Sequence, residues 1–240
     1  KMMNFKKNLT RRELKYKVFY KDIGKLFFWL LNSPFKKSFE NRHVNSLYYD
    51  TPNLDFAYDN ISGESKRIKI RTRWYTKNYN NFFDSFSEEN QSFNIEIKRK
   101  KNNLSNKIVI PNIYFENKDS LKKRKNILKE KLFFEISNYS ELCKIIIDDV
   151  LFVGYDREYY ENFASPKIRL TIDKNIICSK SQIFSNLKKT LISRNYIIVE
   201  LKFLEESFEN VREVMKKFPF RQIRSSKYLY ALSKYQRFSY

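Results

Sequence analysis

The chain has 240 residues, a hydrophobic fraction of 42% and a formal net charge of +21. That length permits one large domain or two small ones, and that composition is ample for a buried core and argues against a disordered chain. The excess of positive charge favours a polyanionic partner such as a phosphate chain, a nucleic acid or an acidic membrane surface.

Several segments in the first half of the chain alternate apolar with charged residues, as half-buried strands do. We predict strands over residues 11–20, 44–49 and 66–75, a short helix over 22–32, and a turn at 50–53 that leads into a second short helix. Residues 76–92 are rich in Asn and Ser and have no period, which predicts a loop insertion.

The second half of the chain continues with hairpins and helices. We predict a hairpin from 93–100 and 107–110 around 102–103, two helices within 116–148, a second hairpin from 151–160 and 167–173, a strand over 196–203, a helix over 207–217 and a helix or final strand over 226–236. Residues 182–191 give no clear prediction. No composition shift marks a linker, so we predict one domain over 1–240 with a core of about 11–235. The total of about eight antiparallel strands with helices between them predicts an α+β fold with a closed or nearly closed sheet.

The charged positions of five predicted strands use the same few residue types. Successive side chains of a strand point to opposite faces, so each segment has one apolar and one charged face. The charged positions are Arg11, Glu13, Lys15 and Lys17; Arg67, Lys69, Arg71 and Arg73; Glu96 and Lys98; Lys167, Arg169 and Asp173; Glu200 and Lys202. An ordinary sheet with one solvated face gives the same alternation and is the alternative. If helices cover the apolar face of a closed sheet, the charged faces line an antiparallel β-tunnel suited to a polyanion and its metal ion.

The scarcity of histidine and glycine excludes several kinds of site. His43 is the only histidine, which rules out a histidine-based triad or zinc site, and we expect it to make a structural hydrogen bond. The three glycines are scattered, which argues against glycine-rich phosphate loops, so any phosphate must be held by side chains. Glu13, Glu96 and Glu200 could each bind Mg²⁺ or Mn²⁺, or could neutralise neighbouring cations, and both interpretations stay open.

Cysteines and apolar runs bear on the compartment. Cys143 and Cys178 are too few and too far apart for a disulfide framework or a metal site, so we expect free thiols in a reducing compartment. The longest apolar runs, at 26–31 and 145–153, are far shorter than the roughly 20 residues that span a bilayer. We therefore expect a cytoplasmic protein, either free or peripheral at the inner face of the membrane.

Seven short segments, taken in order, resemble the VTC domain, which is the catalytic module of polyphosphate polymerases within the CYTH or triphosphate tunnel superfamily. They are SLYYDTPNLD at 46–55, IRTRWY at 70–75, IEIKRK at 95–100, YDR at 155–157, KIRL at 167–170 with Asp173, VELK at 199–202 and SKY at 226–228. The similarity covers nearly the whole chain. It implies an antiparallel β-tunnel with inward charged side chains and surrounding helices.

The same resemblance implies roles for individual residues. It implies catalytic roles for Arg71, Arg73, Lys98, Ser226 and Lys227, phosphate contacts from Lys15, Lys107, Arg157, Arg169 and Lys202, and a Mn²⁺ or Mg²⁺ ligand at Glu200 with Glu96 as the second candidate. ATP and polyphosphate are the implied partners, with no nucleic acid expected and a separate membrane protein as a further partner.

One departure from the triphosphatase branch bears on the reaction. Those enzymes open with a Glu-x-Glu-x-Lys strand, whereas residues 11–15 here read RRELK, so Arg11 replaces the first glutamate. Loss of that carboxylate should weaken a second metal site and the positioning of an attacking water. The resemblance therefore favours polyphosphate synthesis from ATP. A CYTH-like triphosphatase, or a non-catalytic module that binds polyphosphate or nucleic acid, is the alternative.

Overall fold

A computed structural model of the chain describes residues 11–77, 86, 91–101, 104–116, 119–139, 142, 145–164, 168–180, 190–191 and 195–235. The strands within these residues are β1 (Arg11–Phe19), β2 (Phe35–Asp50), β3 (Lys66–Thr76), β4 (Phe93–Lys101), β5 (Leu104–Ile113), β6 (Asp148–Asn162), β7 (Arg169–Lys180), β8 (Thr190–Leu191) and β9 (Tyr196–Leu204). The α-helices are α1 (Ile23–Leu31), α2 (Asp55–Ser62), α3 (Leu121–Ser137), α4 (Phe208–Met215) and α5 (Lys227–Leu232).

The strands form one open antiparallel sheet in the order β1–β9–β7–β6–β2–β3–β4–β5, with β8 paired to β7 beside this path. The predicted α+β fold with about eight antiparallel strands is confirmed. The chain divides into two compact units: a first unit within residues 1–41, 157–175 and 193–225, and a second unit within residues 42–156, 176–192 and 226–240. A single domain over the whole chain stays a prediction.

In the first unit, helices cover the apolar positions of the strands. Val18, Ile172 and Val199 come from three different strands and are fully buried. They belong to one core cluster with Leu26 of α1 and Val211 of α4. The alternation in the sequence places these side chains on one face of the sheet, where burial of apolar area stabilises the fold.

The second unit repeats this arrangement with α3. Ile70, Trp74 and Ile95 are fully buried and share a core cluster with Leu128 and Leu132 of the helix. Because the apolar face of this part of the sheet is covered, the charged positions of the same strands lie on its other face.

Charged positions are also buried, which contradicts the alternative of an ordinary solvated face. The exposed fractions are 7% for Arg73, 6% for Glu96, 0% for Asp173 and 4% for Glu200. Buried charges are kept in proteins when they are paired or bind a ligand or metal. The charged face is therefore an organised polar interior.

Three predicted elements differ from the structure. The second strand begins at Phe35 rather than at 44. The sequence did not reveal the first part of this strand, because residues 36–41 are exposed on both faces and show no alternation. The described residues of 116–148 contain one helix rather than two, and its N-terminus is capped by Ser120, which accepts a hydrogen bond from Lys123 N. β7 runs to Lys180, and Asn175 within it has a positive φ of 51°, which Asn tolerates better than most residues.

Several predictions lie outside the described residues. These are most of the 76–92 insertion, the 102–103 turn, Lys167, Cys143 and most of 182–191. No helix among the residues that the structure covers is both long and apolar enough to cross a membrane. Cys178 is a free cysteine, and burial raises the pKa of its thiol to about 11.

His43 makes the structural hydrogen bond expected of it. Its Nδ1 lies 2.8 Å from Asp156 Oδ1, and its ring is buried. A Cβ atom at Gly154 would lie 3.0 Å from His43 Nε2, closer than nearly all real Cβ contacts. Gly154 therefore leaves room for the imidazole.

Candidate active site

In the second unit, four neighbouring strands, β2 to β5, bring cationic side chains together around one carboxylate. Tyr48 lies opposite Arg71, and Arg71 lies opposite Glu96, so the three side chains share one face. Glu96 Oε2 lies 2.6 Å from Arg71 Nη2 and 3.8 Å from Arg73 Nη1. Its other oxygen, Oε1, accepts a hydrogen bond of 2.6 Å from Lys107 Nζ. We call these five residues the arginine cluster.

The arginine cluster carries more positive than negative charge. Burial alone would raise the pKa of Glu96, but attraction to Arg71, Arg73 and Lys107 outweighs burial and holds that pKa well below its usual range. Glu96 is therefore ionised at neutral pH, and its single negative charge faces three cations. A group with this imbalance attracts an anion with several negative charges.

Two phenol oxygens hold the guanidinium groups of the arginine cluster. Arg71 Nη1 donates a hydrogen bond of 3.2 Å to Tyr48 Oη, and Arg73 Nη2 donates one of 3.2 Å to Tyr155 Oη. Burial raises the pKa of Tyr48, but the positive charges of Arg71 and Arg73 lower it by more. The pKa of Tyr48 therefore lies below its ordinary value. These neutral acceptors fix the arginines without cancelling their charge.

Behind Tyr48, a buried carboxylate supports the cluster. Asp50, at the end of β2, accepts hydrogen bonds of 2.8–3.0 Å from three main-chain N–H groups between residues 51 and 57. It also accepts a hydrogen bond of 2.6 Å from Tyr228 Oη. The ring of Tyr228 stacks on that of Tyr48, with centroids 4.8 Å apart and planes 19° apart. A continuous chain of contacts therefore runs from Asp50 through Tyr228 and Tyr48 to Arg71.

The start of α5 brings two more predicted site residues into this unit. Ser226 is the N-cap of the helix, and its Oγ accepts hydrogen bonds from Leu229 N at 3.4 Å and from Lys69 Nζ at 3.1 Å. Lys227 places its Nζ 4.9 Å from the ring centroid of Tyr155. Ser226 therefore acts as an acceptor in this structure, and Lys227 adds a cation beside the phenol that holds Arg73.

In the first unit, three carboxylates and three cations are interleaved. Their members are Glu13, Lys15, Arg157, Asp173, Glu200 and Lys202, and we call them the acid–base cluster. Arg157 donates two hydrogen bonds to Asp173, of 2.6 and 2.8 Å, and a third of 3.4 Å to Glu200 Oε2. The register between β1 and β9 brings four of these residues together, because Lys15 lies opposite Glu200 and Glu13 lies opposite Lys202.

Glu200 is the centre of the acid–base cluster. Its oxygens lie 3.6 Å from Lys15 Nζ, 3.3 Å from Lys202 Nζ and 3.4 Å from Arg157 Nη2. Lys15 Nζ also lies 3.0 Å from Glu13 Oε1, so one ammonium group bridges two carboxylates. Burial lowers the pKa of Lys202, and repulsion from Arg157 adds to this, while Glu200 acts in the opposite direction.

A divalent cation fits this cluster in its donor chemistry. No set of three or more His, Cys, Asp or Glu side chains in the described residues converges on a metal position. Mg²⁺, however, is often held by one or two carboxylates plus substrate phosphates and water. Glu200 and Glu13 share the ammonium group of Lys15, so the space between the two carboxylates favours a positive charge. Glu96 is held more tightly, because cations lie 2.6 Å from each of its oxygens, whereas the ion pairs of Glu200 span 3.3–3.6 Å.

Two further predicted site residues, Lys98 with a catalytic role and Arg169 with a phosphate contact, lie at exposed positions. Lys98 is exposed on β4, opposite Lys69 and Lys107 in the register. Arg169 is exposed at the start of β7, opposite Lys202. The register thus places Lys98 on the face of the arginine cluster and Arg169 on the face of the acid–base cluster.

Sequence reasoning did not select several residues that touch the predicted site residues or support them from behind. They are Tyr48, Asp50, Lys69, Tyr155, Asp173 and Tyr228. Lys69 and Asp173 belong to the charged faces, so the alternation contained a signal for both. For the three tyrosines the alternation gave no signal, because a tyrosine beside apolar strand residues is typical of an ordinary core position, and only their place in the segments that resemble the VTC domain pointed to them.

Comparisons with known proteins agree with this fold. The family model of the VTC domain matches residues 7–235. A candidate adenylate cyclase from Vibrio parahaemolyticus shares 13% identity at a TM-score of 0.50, over 93% of this chain and 98% of its own. A candidate adenylyl cyclase from Hippeastrum, described as having a dominant triphosphatase activity, shares 12% identity at a TM-score of 0.47, over 93% and 96%. At 13% identity, the similarity to the Vibrio protein shows the fold alone. No curated protein matches the chain.

Proposed function

The chain belongs to the VTC domain family, and from that premise we propose that it moves the γ-phosphoryl group of ATP onto the end of a polyphosphate chain. The family and its fold support an enzyme that acts on triphosphates, either a phosphotransferase or a triphosphatase. Polyphosphate synthesis is the finer assignment that we put forward.

The observation that carries the proposal is the excess of cations in the arginine cluster. Arg71, Arg73 and Lys107 share one carboxylate, and the side chain of Arg71 is 25% exposed while that of Lys107 is 47% exposed. Arg71 and Lys107 can therefore donate some of their hydrogen bonds to a ligand. Arginine forks match phosphate oxygens in pairs, which suits consecutive phosphates of a chain.

We assign the remaining cations to the same task. In this proposal Arg71, Arg73, Lys98, Ser226 and Lys227 surround the transferred phosphoryl group, while Lys15, Lys107, Arg157, Arg169 and Lys202 hold the rest of the triphosphate and the chain. Phosphoryl transfer asks the protein for in-line positioning and neutralised charge rather than for a covalent intermediate. The absence of an obvious side-chain nucleophile in the sequence is compatible with that chemistry.

Glu200 would hold the divalent metal, with Glu13 beside it. When bound, Mn²⁺ or Mg²⁺ would supply positive charge that offsets the negative charge of the phosphates. The protein's own part is to surround Glu200 with Lys15, Arg157 and Lys202 and to limit the freedom of its side chain. Arg157 is fixed in turn by its two hydrogen bonds to Asp173.

The acceptor separates synthesis from hydrolysis. Arg11 stands where triphosphatases have a carboxylate, so this chain has one group fewer to position an attacking water, and the end of a phosphate chain becomes the better acceptor. Glu13 and Lys15, which complete the triphosphatase strand pattern, are retained and lie 3.0 Å apart, which keeps hydrolysis as the second candidate function. We place the reaction in the cytoplasm, with a separate membrane protein as a possible recipient of the product.

The deciding experiment incubates the purified protein with ATP and Mn²⁺, with and without short polyphosphate. We expect ADP and acid-labile polymer, little orthophosphate, and a shorter lag when the short acceptor is added. Chelation of the metal should stop turnover and leave salt-sensitive polyphosphate binding, with DNA competing poorly. Orthophosphate as the main product would establish the triphosphatase, and tight binding without either product would establish the binding module.

A further inference from the structure

Helix α1 in the first unit is apolar around nearly its whole circumference. Its sequence, IGKLFFWLL, contains one charged residue, Lys25. One side of the helix enters the core through Leu26, Trp29 and Leu30. The other side leaves Phe27, Phe28 and Leu31 exposed, at 39%, 72% and 78%. A helix that is hydrophobic all round is ordinarily covered on both sides, whereas no part of the chain that the structure describes covers Phe28 and Leu31 on the outer side of α1.

A cavity of about 840 Å³ lies beside this outer side. Phe28 and Trp29 of α1 form one wall together with Pro34, and the end of α4 with the turn after it forms the other wall through Val214 and Pro219. The volume falls within the range of cavities that hold small organic ligands, roughly 300–1,000 Å³. Its apolar walls suit a hydrocarbon chain better than a polar metabolite.

Lysines surround the apolar surface. Lys25, Lys216 and Lys217 line the cavity, and Glu213 is the one acidic residue among its lining residues. Lys25 forms an ion pair of 2.8 Å with Asp22, while Lys216 and Lys217 are exposed in the turn after α4. The rim is therefore positive, and apolar groups sit between the lysines.

We propose that this face of the first unit docks on a bilayer of anionic phospholipids. Phe28 and Leu31 enter the interface between headgroups and acyl chains, Lys216 and Lys217 contact headgroup phosphates, and the cavity beside Trp29 receives an acyl chain. Basic residues flanking exposed aromatic and aliphatic residues are the pattern of helices that lie in the plane of an anionic membrane surface. The inference rests on α1 and its surroundings and does not depend on the proposed reaction.

A bilayer fits the exposed face of α1 better than a second copy of the chain or an acidic peptide does. A second copy of this chain would bring the same lysines against one another, and a chain with a net charge of +21 repels itself. An acidic peptide would match the charge, but Phe28, which lines the cavity, and Leu31 remain 72% and 78% exposed. Exposed side chains of this kind suit a soft surface that they can penetrate.

The test measures binding of the whole chain to vesicles of phosphatidylcholine alone and of phosphatidylcholine with about 30% phosphatidylserine, chosen to give a negative surface potential. The test variant is Phe28→Ser with Leu31→Ser. The matched control is Phe134→Ser, which removes a phenylalanine that is 76% exposed on α3. The positive charge of the chain attracts every variant at low salt, so binding is compared at about 0.5 M salt, where surface attraction is screened.

We expect the wild type and Phe134→Ser to bind the anionic vesicles at both salt concentrations. The double variant should lose at least about tenfold in affinity at high salt, because two large apolar side chains no longer enter the interface. Brominated acyl chains should quench Trp29 emission in the wild type and not in the double variant. ATP turnover without vesicles should be the same in all three proteins.

At the higher salt concentration, equal binding by the wild type and the double variant would overturn the proposal, as would an equal loss in Phe134→Ser. Failure of the wild type to bind anionic vesicles would overturn it too. If an acidic amphipathic peptide instead binds in a Phe28-dependent way, the face is a protein-docking surface and not a lipid-docking one.

Discussion

The arginine cluster and the acid–base cluster arise from the same strand pattern but differ in their balance of charge. In the contacts of the described residues, the arginine cluster sets three cations against one carboxylate, whereas the acid–base cluster sets three against three. An unbalanced group of cations suits an anionic substrate. A balanced group with a central carboxylate suits a cation that arrives with the substrate. The proportion of glutamate and aspartate on a charged face therefore decides which ligand the face can take.

The two clusters also differ in how their cations are held. Tyr48 and Tyr155 accept hydrogen bonds from Arg71 and Arg73, so two phenol oxygens help the one carboxylate of Glu96 to fix the two guanidinium groups. In the acid–base cluster, Asp173 fixes Arg157 with a full negative charge. Phenol groups thus provide rigidity without neutralisation, which is what a phosphate-binding site requires.

The largest effect should come from Glu200→Gln, which removes the central carboxylate of the acid–base cluster. We expect turnover to be abolished while the fold is retained, because the neighbouring cations remain and still bind phosphate. Isothermal titration with tripolyphosphate should show near-normal binding without metal and no enhancement by Mn²⁺. The control is Glu209→Gln on α4, where the Glu209 side chain is 76% exposed and pairs with Arg212. A Glu200→Gln protein that works at the wild-type rate with Mn²⁺ would transfer the ligand role to Glu96.

The next effect should come from Arg71→Ala, which tests whether excess charge in the arginine cluster stabilises the transition state. We expect a loss of about 2–4 kcal/mol of transition-state stabilisation, by comparison with other lost electrostatic donors. Arg71→Lys should recover part of the rate, because it restores the charge without the paired hydrogen bonds. Steady-state kinetics measures both variants, and the melting temperature should fall little because Glu96 keeps Lys107. Unfolding of Arg71→Ala with normal activity in the folded fraction would make Arg71 a structural residue.

The acid dependence of stability distinguishes the clusters in another way. The pKa of Glu96 is lower in the folded protein than in the unfolded chain, so its contribution to stability is fully present above the ordinary glutamate pKa and is lost as pH falls below it. Glu96→Gln should therefore flatten the fall in unfolding free energy between about pH 5 and 3 and cost about 1–3 kcal/mol at pH 7. Urea unfolding at a series of pH values measures both quantities. Tripolyphosphate should bind the variant more tightly, and an unchanged acid slope would contradict the assigned ion pairs.

The smallest effect should come from Tyr228→Phe, which cuts the chain of contacts behind Tyr48 at one hydrogen bond. The ring can still stack on Tyr48, and Asp50 keeps its three main-chain donors, so we expect a stability loss of about 1 kcal/mol. The KM for ATP should rise a few-fold more than kcat falls if Tyr228 positions Arg71 through Tyr48. A change in stability with no change in either kinetic constant would limit Tyr228 to a structural role.

Alternation in the sequence predicted the fold where a strand has one apolar face. β1, β3 and β9 lie close to their predicted bounds for that reason. The first part of β2 escaped prediction because residues 36–41 are exposed on either face, so nothing in their pattern separates a strand from a loop. The sequence predicted two helices where the structure has the single helix α3, because the basic and apolar residues of α3 mix around the helix and leave no clear apolar stripe.

The site was only partly accessible from the sequence. Arg71 and Glu96 could be placed on charged faces, but their meeting depends on a register between β3 and β4 that no residue pattern specifies. Tyr48 escaped notice because its phenol oxygen, which touches Arg71, belongs to a residue that otherwise looks like core. Residue-by-residue roles within the clusters stay predictions until the variants are measured.

The outer strands of the sheet bear on how the protein avoids sticking to itself. At β1, Ile223 N donates to Lys15 O at 2.8 Å, and Gln222 forms a bridge with Tyr16, so part of this edge is already occupied by the chain itself. At β5, Pro111 lacks an N–H group, and the strand carries exposed Lys107. Proline, lysine and covering segments are the usual means of keeping a free strand from pairing with a neighbouring molecule. Shortening the 219–224 segment should therefore lower solubility at high protein concentration.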